Sequence, residues 1–172
     1  MSKEKVIICD IDGCILDTSW INYRIAELNL TKEQGFVYFN EHIDDLAPTT
    51  IVKMRDFLGL FDNKIKIIFV TARSERIREI TYKQLTTALG ILPELIYMRP
   101  IDNLDDPHIL KEKILAEINE RFDVILAIDD YELTCRMYRQ HGILTIMCNT
   151  QVLRMYQEHK EDEPAWELQT TK

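Results

Sequence analysis

Residues 6–13 read Val-Ile-Ile-Cys-Asp-Ile-Asp-Gly. A short apolar run rich in β-branched residues leads into two acids spaced two apart and then a glycine. Such a run without alternation reads as a strand buried on both faces, as in a parallel sheet. In an extended segment, residues i and i+2 point to the same side. Asp10 and Asp12 therefore present their carboxylates together, and Gly13 lets the chain turn sharply out of the strand. Taken alone, Asp-Ile-Asp-Gly is equally a turn, because Asp and Gly are frequent turn formers. The rest of the chain decides between the two readings.

Four further runs have the character of the first. Ile65 to Val70 ends at Thr71, Leu95 to Met98 is weaker, Phe122 to Ile128 ends at Asp129 and Asp130, and the last is Ile143 to Met147. Helical patterns lie between them. Thr49 to Leu60 carries Ile51, Val52, Met54, Phe57 and Leu58 on one face. Ser74 to Leu89 is predicted as a helix with Ser74 as N-cap and Gly90 as its stop. Ile109 to Ile118 and Glu132 to Arg139 are shorter candidates. Strand and helix in alternation predict an α/β fold, a doubly wound (Rossmann-like) parallel sheet. Residues 18–48 break the rhythm with two helices, about Trp20 to Leu30 and Lys32 to His42, and read as a small helical insert after the first strand. The expected organisation is one domain over residues 1–158 and a polar tail over 159–172, where Trp166 is the residue that would pin the tail down.

In an open parallel sheet, ligands bind beyond the carboxyl ends of the strands. Asp10, Asp12, Asp129 and Asp130 then crowd one edge. Like charges that close repel unless a cation or a proton intervenes. An all-oxygen donor set suits Mg²⁺, a hard ion that leaves room for phosphate and water.

Composition narrows the options. The net charge of −8 argues against broad non-specific nucleic-acid binding, which needs a basic surface, though it leaves room for a local basic cleft. Four scattered cysteines without a CxxC pair are expected to be reduced thiols, and the histidines have no zinc-ligand spacing to them. No apolar run approaches the roughly 18–20 residues that span a bilayer, and the N-terminal run is too short for a signal-peptide core. A cytoplasmic location with no membrane partner is therefore the expectation.

With these motifs quoted, the chain resembles the haloacid-dehalogenase superfamily, whose phosphatases carry four motifs in this order. Strand-DxDGxxxD is matched by Asp10, Asp12, Gly13 and Asp17, strand-Ser/Thr by Thr71, the lysine by Lys111, and strand-Asp-Asp by Asp129 and Asp130. The resemblance covers about residues 5–148, and four ordered motifs are far more specific than one. Cys14 departs from the usual Thr or Val. The resemblance implies a Mg²⁺-dependent phosphatase. Asp10 is its nucleophile, and Asp12 is the acid that protonates the leaving oxygen and then deprotonates water. Thr71 and the amides around Asp12 and Gly13 hold the phosphoryl oxygens, and Lys111 offsets negative charge. The metal is held by Asp10, the Asp12 carbonyl and Asp130, with Asp129 as a second ligand or as the orienter of a metal-bound water. Lys113 is the competing lysine, but it lies two residues on and faces elsewhere.

Finer features resemble the phosphatase domain of phage-type polynucleotide kinase/3′-phosphatases. They are Val-Thr-Ala-Arg-Ser-Glu before a helix with Thr81, then Tyr97-Met98-Arg99-Pro100, Asp105-Asp106 before Lys111, and Ile128-Asp129-Asp130 before Met137-Tyr138-Arg139 and Gly142. Tyr131 stands where that family usually has Arg. This resemblance implies a phosphorylated nucleotide or nucleic-acid end as substrate, with Ala72, Arg73 and Arg99 on the substrate side. Arg suits bidentate contact with phosphate. GxxxxGK[ST] is absent, so no ATP-binding kinase module is expected. A soluble nucleotidase or small-metabolite phosphatase remains the alternative. A non-catalytic binding protein on the same fold is disfavoured, because every expected chemical group is present. The short insert is the discriminating feature, since a large cap closes over small substrates.

Overall fold

The computed structural model describes residues 2–44, 49–50, 52–61, 65–90 and 92–148. The expected tail at 159–172, with Trp166, lies outside them. Strands β1 (Glu4–Cys9), β4 (Lys66–Ser74), β5 (Leu95–Arg99), β6 (Phe122–Asp129) and β7 (Leu144–Met147) form one parallel sheet in the order β5-β4-β1-β6-β7. Cys9 pairs with Phe69 of β4 on one side and Ile128 of β6 on the other. The chain builds outward from β1 through β4 and β5, then returns to the far side of β1 through β6 and β7. The order therefore reverses between β1 and β6, where open α/β sheets leave a crevice at their carboxyl ends. Asp10 and Asp129 sit at those two ends.

The uninterrupted apolar strand has the double burial expected of it. Val6 and Ile8 pack with Leu110 and Ile114 of α5 (Pro107–Arg121) and Tyr138 of α6 (Glu132–Gln140). Ile7 and Cys9 face the other way, onto Leu58 of α3 (Val52–Gly59) and Leu85 and Leu89 of α4 (Arg78–Leu89). Helices cover both faces, and the doubly wound architecture stands.

Three local readings change. Thr49–Thr50 is not helical. It forms strand β3, antiparallel to β2 (Leu16–Asp17), and this small ribbon closes the base of the insert. β4 runs on to Ser74, and a 3-10 turn over Glu75–Ile77 precedes α4. Ser74 still caps, because its hydroxyl accepts from the Arg76 amide at 3.3 Å. α5 starts earlier than expected, at Pro107, whose fixed φ and missing N–H suit the first helical position.

The insert consists of α1 (Ser19–Glu27) and α2 (Lys32–His42). A Thr31–Gln34 capping box starts α2, satisfying two of its orphan donors. Buried Ile21 and Ile43 pack with Ile77 of the 3-10 turn and Met98 of β5. Each such side chain contributes about 1.5–3 kcal/mol on burial. The Lys32–Asp106 ion pair that also links insert to core is exposed and screened by solvent, so it contributes little. Apolar packing is thus what seats the insert.

Candidate active site

Asp10 leaves the end of β1 with its amide still bonded to the Ile128 carbonyl at 2.9 Å, so the first acid is fixed to the neighbouring strand β6. The next residue, Ile11, is fully buried in the core, while Asp10 and Asp12 line one cavity. Gly13 follows at φ 75°, a conformation that L side chains rarely adopt. A Cβ at this position would lie 2.0 Å from Asp130 Oδ2, so only glycine lets the loop pass this close to the acid at the end of β6.

Asp10, Asp129 and Asp130 each offer one oxygen within 4.8 Å of the others. Lys111, buried in the second turn of α5, reaches between two of them. Its Nζ lies 2.7 Å from Asp129 Oδ2 and 3.0 Å from Asp10 Oδ1. The first contact is a hydrogen bond, whereas Asp10 Oδ1 is buried with no hydrogen-bond partner among the described residues. Burial pulls the Lys111 pKa down, but the carboxylates of Asp10 and Asp129 outweigh it and hold the ammonium well above its ordinary range. Lys111, not Lys113, lies among these acids; Lys113 is exposed and pairs with Asp105 at 2.7 Å.

Asp12 takes no part in that three-carboxylate group. Its side chain receives the guanidinium of Arg73 in a bidentate fork, with Nε 2.9 Å from Oδ2 and Nη2 2.7 Å from Oδ1. Arg73 is buried, and its other arm donates to Gln84 at 2.7 Å and Thr81 at 3.3 Å. It lines the cavity, yet these hydrogen bonds commit it to protein partners. Thr71 is fully buried, its hydroxyl accepting from the Arg73 amide at 3.2 Å. Ala72 and Arg99 also line the cavity. Arg99 donates to the Ala72 carbonyl at 2.9 Å and to the Asp105 carbonyl at 2.7 Å.

The cavity holds about 480 Å³. Sequence reasoning missed its second wall, which the insert supplies through Ile25, Leu30, Phe36 and Phe39. The Arg99 guanidinium lies 5.4 Å from the Phe36 ring centroid and that of Arg73 5.8 Å from Phe39. Phe36 and Phe39, three apart on α2, were the available signal.

The three clustered carboxylates (Asp10, Asp129, Asp130) face one ammonium (Lys111), which leaves two negative charges in excess when all three are ionised. Burial, then the charge of Asp129, pushes Asp130 up to about 7. Burial also pushes Asp10 well above the carboxylate range, Lys111 opposing it and the neighbouring acids adding to it. A raised folded-state pKa means that the folded protein holds protons the unfolded chain releases. For Asp130 the resulting penalty is absent below about pH 4, grows between pH 4 and 7, and is complete above pH 7; for Asp10 it also grows as the pH rises. Asp130→Asn is therefore expected to raise the Tm of the metal-free protein by at least about 3 °C at pH 8 and by much less at pH 4.5. Equal melts at pH 8 would show that the cluster is not strained by its own charge.

No curated protein matches this chain at a significant level. Residues 4–152 match the family model described as the polynucleotide kinase PNKP phosphatase domain. The chain belongs to this family. Among solved structures, chains of the Pnkp1/Rnl/Hen1 RNA repair complex superpose on this chain with TM-scores of 0.64, at 19% and 20% identity over 84% and 86% of it. This chain spans 42% and 46% of the length of those chains. A class C acid phosphatase from Bacillus anthracis superposes with TM-score 0.61 at 12% identity, covering 95% of this chain and 81% of its own. At these identities the likeness is one of fold. Family membership and the acid cluster together make the chain a phosphoryl-transfer hydrolase of the haloacid-dehalogenase type. No described helix is long and apolar enough to cross a membrane.

Proposed function

We propose that the chain removes a terminal phosphate from a nucleic-acid end or a nucleotide, the 3′-phosphate first, using Mg²⁺ and an aspartyl-phosphate on Asp10. One observation carries this reading: a single cavity places Asp10, Asp12 and Asp130 beside the apolar and aromatic side chains Ile25, Leu30, Phe36 and Phe39 of the insert. A nucleoside phosphate brings both a phosphate and a flat ring. A sugar phosphate would offer Phe36 and Phe39 no flat ring, and its hydroxyls would meet only the polar part of the lining, such as Asn22, Thr31 and Glu33. Membership in the polynucleotide kinase phosphatase family supports the same substrate class.

The donor set fits a hard divalent ion: three close carboxylates, with Asp10 Oδ1 buried and without a hydrogen bond among the described residues, and an excess of two negative charges when the three are ionised. Asp10 and Asp130 would hold it, with the Asp12 carbonyl, and with Asp129 as a further ligand or as the orienter of a bound water. When bound, it neutralises and aligns the phosphoryl oxygens. Asp10 attacks phosphorus, the bond to the leaving oxygen breaks, and Asp12 gives that oxygen its proton. Asp12 then takes a proton from water as the water attacks the acyl phosphate, freeing inorganic phosphate and restoring Asp10. Lys111 holds Asp10 in place and offsets charge on the phosphoryl group. Thr71 and the amides near Asp12, Gly13 and Ala72 receive the phosphoryl oxygens. Arg73 orients Asp12, and Arg99 adds positive charge to the substrate wall.

A second reading, a soluble nucleotidase, gains weight because the insert lines the cavity, which suits a small enclosed substrate. The test is a panel of 3′-phosphorylated oligonucleotides, nucleoside 3′- and 5′-monophosphates and sugar phosphates. The 3′-phosphorylated oligonucleotide is expected to give the highest kcat/KM, with little dependence on its sequence, because contacts to phosphate and sugar carry no sequence information. An inert 3′-phosphorylated oligonucleotide beside a rapidly cleaved 5′-monophosphate would replace this reading with the nucleotidase.

A further inference from the structure

Gln84, on the α4 face that looks toward the site, makes two hydrogen bonds of opposite sense. Its Oε1 accepts from Arg73 Nη1 at 2.7 Å, and its Nε2 donates to the main-chain carbonyl of Ile43 at 2.9 Å. The two partners dictate the amide's orientation, because a guanidinium can only donate and a carbonyl can only accept. Among side chains of this length, a primary amide supplies both functions at once. A carboxylate would repel the Ile43 carbonyl, and an aliphatic chain would serve neither partner.

Ile43 is the residue that ends α2, so its carbonyl is one of the groups a helix C-terminus leaves without an intrahelical partner. The insert that forms the cavity's apolar wall is therefore tied through Gln84 to Arg73. Arg73 in turn grips both oxygens of Asp12 with its other edge. The chain of contacts runs from the end of the insert to the acid at the reaction centre without a gap.

We infer that Gln84 is a positioning residue for Asp12, acting through Arg73, and that its bond to Ile43 makes the seating of the helical insert part of that positioning. This rests on the proposed role of Asp12 as the acid for the leaving group. With Gln84 in place, the guanidinium has a fixed plane and the Asp12 carboxylate a fixed direction. Without it, Nη1 keeps, among the described residues, the longer contact to Thr81 at 3.3 Å, and the fork can rotate. Misplacing an acid by a fraction of an ångström costs rate chiefly where the proton is needed.

The readout is therefore leaving-group dependence, which a purely structural role would not move. An alkyl phosphate or nucleoside 3′-phosphate expels a strongly basic alkoxide and needs the proton. A nitrophenyl phosphate expels a stable phenolate and does not. For Gln84→Leu, the ratio of kcat on the alkyl ester to kcat on the aryl ester is expected to fall about tenfold, with KM for each ester within about twofold of wild type. Gln84→Glu keeps the acceptor for Arg73 and loses the donor to Ile43, and its ratio is expected to fall about threefold. An unchanged ratio in Gln84→Leu, or an equal loss on both esters, overturns the positioning role. A wild-type ratio in Gln84→Glu overturns the tie to the insert. Asp12→Asn serves as the separate control: if it leaves the ratio unchanged, the acid assignment itself has failed, whatever Gln84 does.

Discussion

Asp10→Asn is expected to fold like the parent protein and to lose at least about 10³-fold in kcat on every phosphate monoester. The reason is chemical before it is structural. An amide nitrogen or oxygen is too weak a nucleophile to displace an alkoxide from phosphorus, and no acyl phosphate forms. The fold should tolerate the change because the Asp10 main chain, not its side chain, continues the sheet through its bond to Ile128. The substitution also removes one of the close carboxylates that burial and neighbouring acids push toward protonation. The metal-free variant should accordingly melt no lower than wild type at pH 8. Circular dichroism, a thermal melt and steady-state kinetics on one preparation check all of this. Hydrolysis at the wild-type rate by a cleanly folded Asp10→Asn protein would remove Asp10 from the mechanism.

The acids were legible in the sequence because each pair follows an apolar run, and strand direction carries the ends of parallel strands to one edge. The topology adds what the sequence could not state, that β1 and β6 are neighbours and their acids share one crevice. Lys111 was legible from the order of the family's motifs; the structure supplies the physical reason, since Leu110, Ile114, Leu115 and Ile118 enter the core beside it while Lys113 turns outward to Asp105. The partner of Asp12 was not legible. Arg73 follows Thr71 on the same strand, and nothing local shows that its guanidinium turns to Asp12 rather than to solvent or substrate. That contact depends on Thr81 and Gln84, eight and eleven residues further on, which enter only once α4 is docked. The β2–β3 ribbon escaped because two residues per strand carry no period. The insert's place in the cavity wall escaped because an amphipathic helix reports that it is half-buried, not against what.

Removing divalent metal is expected to abolish turnover, and Mg²⁺ is expected to restore it. The electrostatics make the demand. With Asp10, Asp129 and Asp130 ionised, Lys111 leaves two negative charges uncompensated among them in a buried crevice. A phosphate dianion entering there adds more. Without a cation, the cheapest relief is protonation, and a protonated Asp10 is no nucleophile. Binding should therefore release protons and be weaker at pH 5 than at pH 8, since Asp130, pushed up to about 7, must give up its proton to become a ligand. Mg²⁺ should raise the Tm more at pH 8 than at pH 5, and Asp130→Asn should largely lose that rise. Ca²⁺ should bind yet support poor turnover, because its longer and more numerous oxygen contacts would misalign Asp10 with phosphorus. After chelation and dialysis, activity is expected to fall at least about 10²-fold and to return on adding Mg²⁺. Undiminished hydrolysis in the dialysed, chelated protein would mean that Lys111 and Arg73 suffice to bring phosphate to the acids, and the metal would have no place in the site.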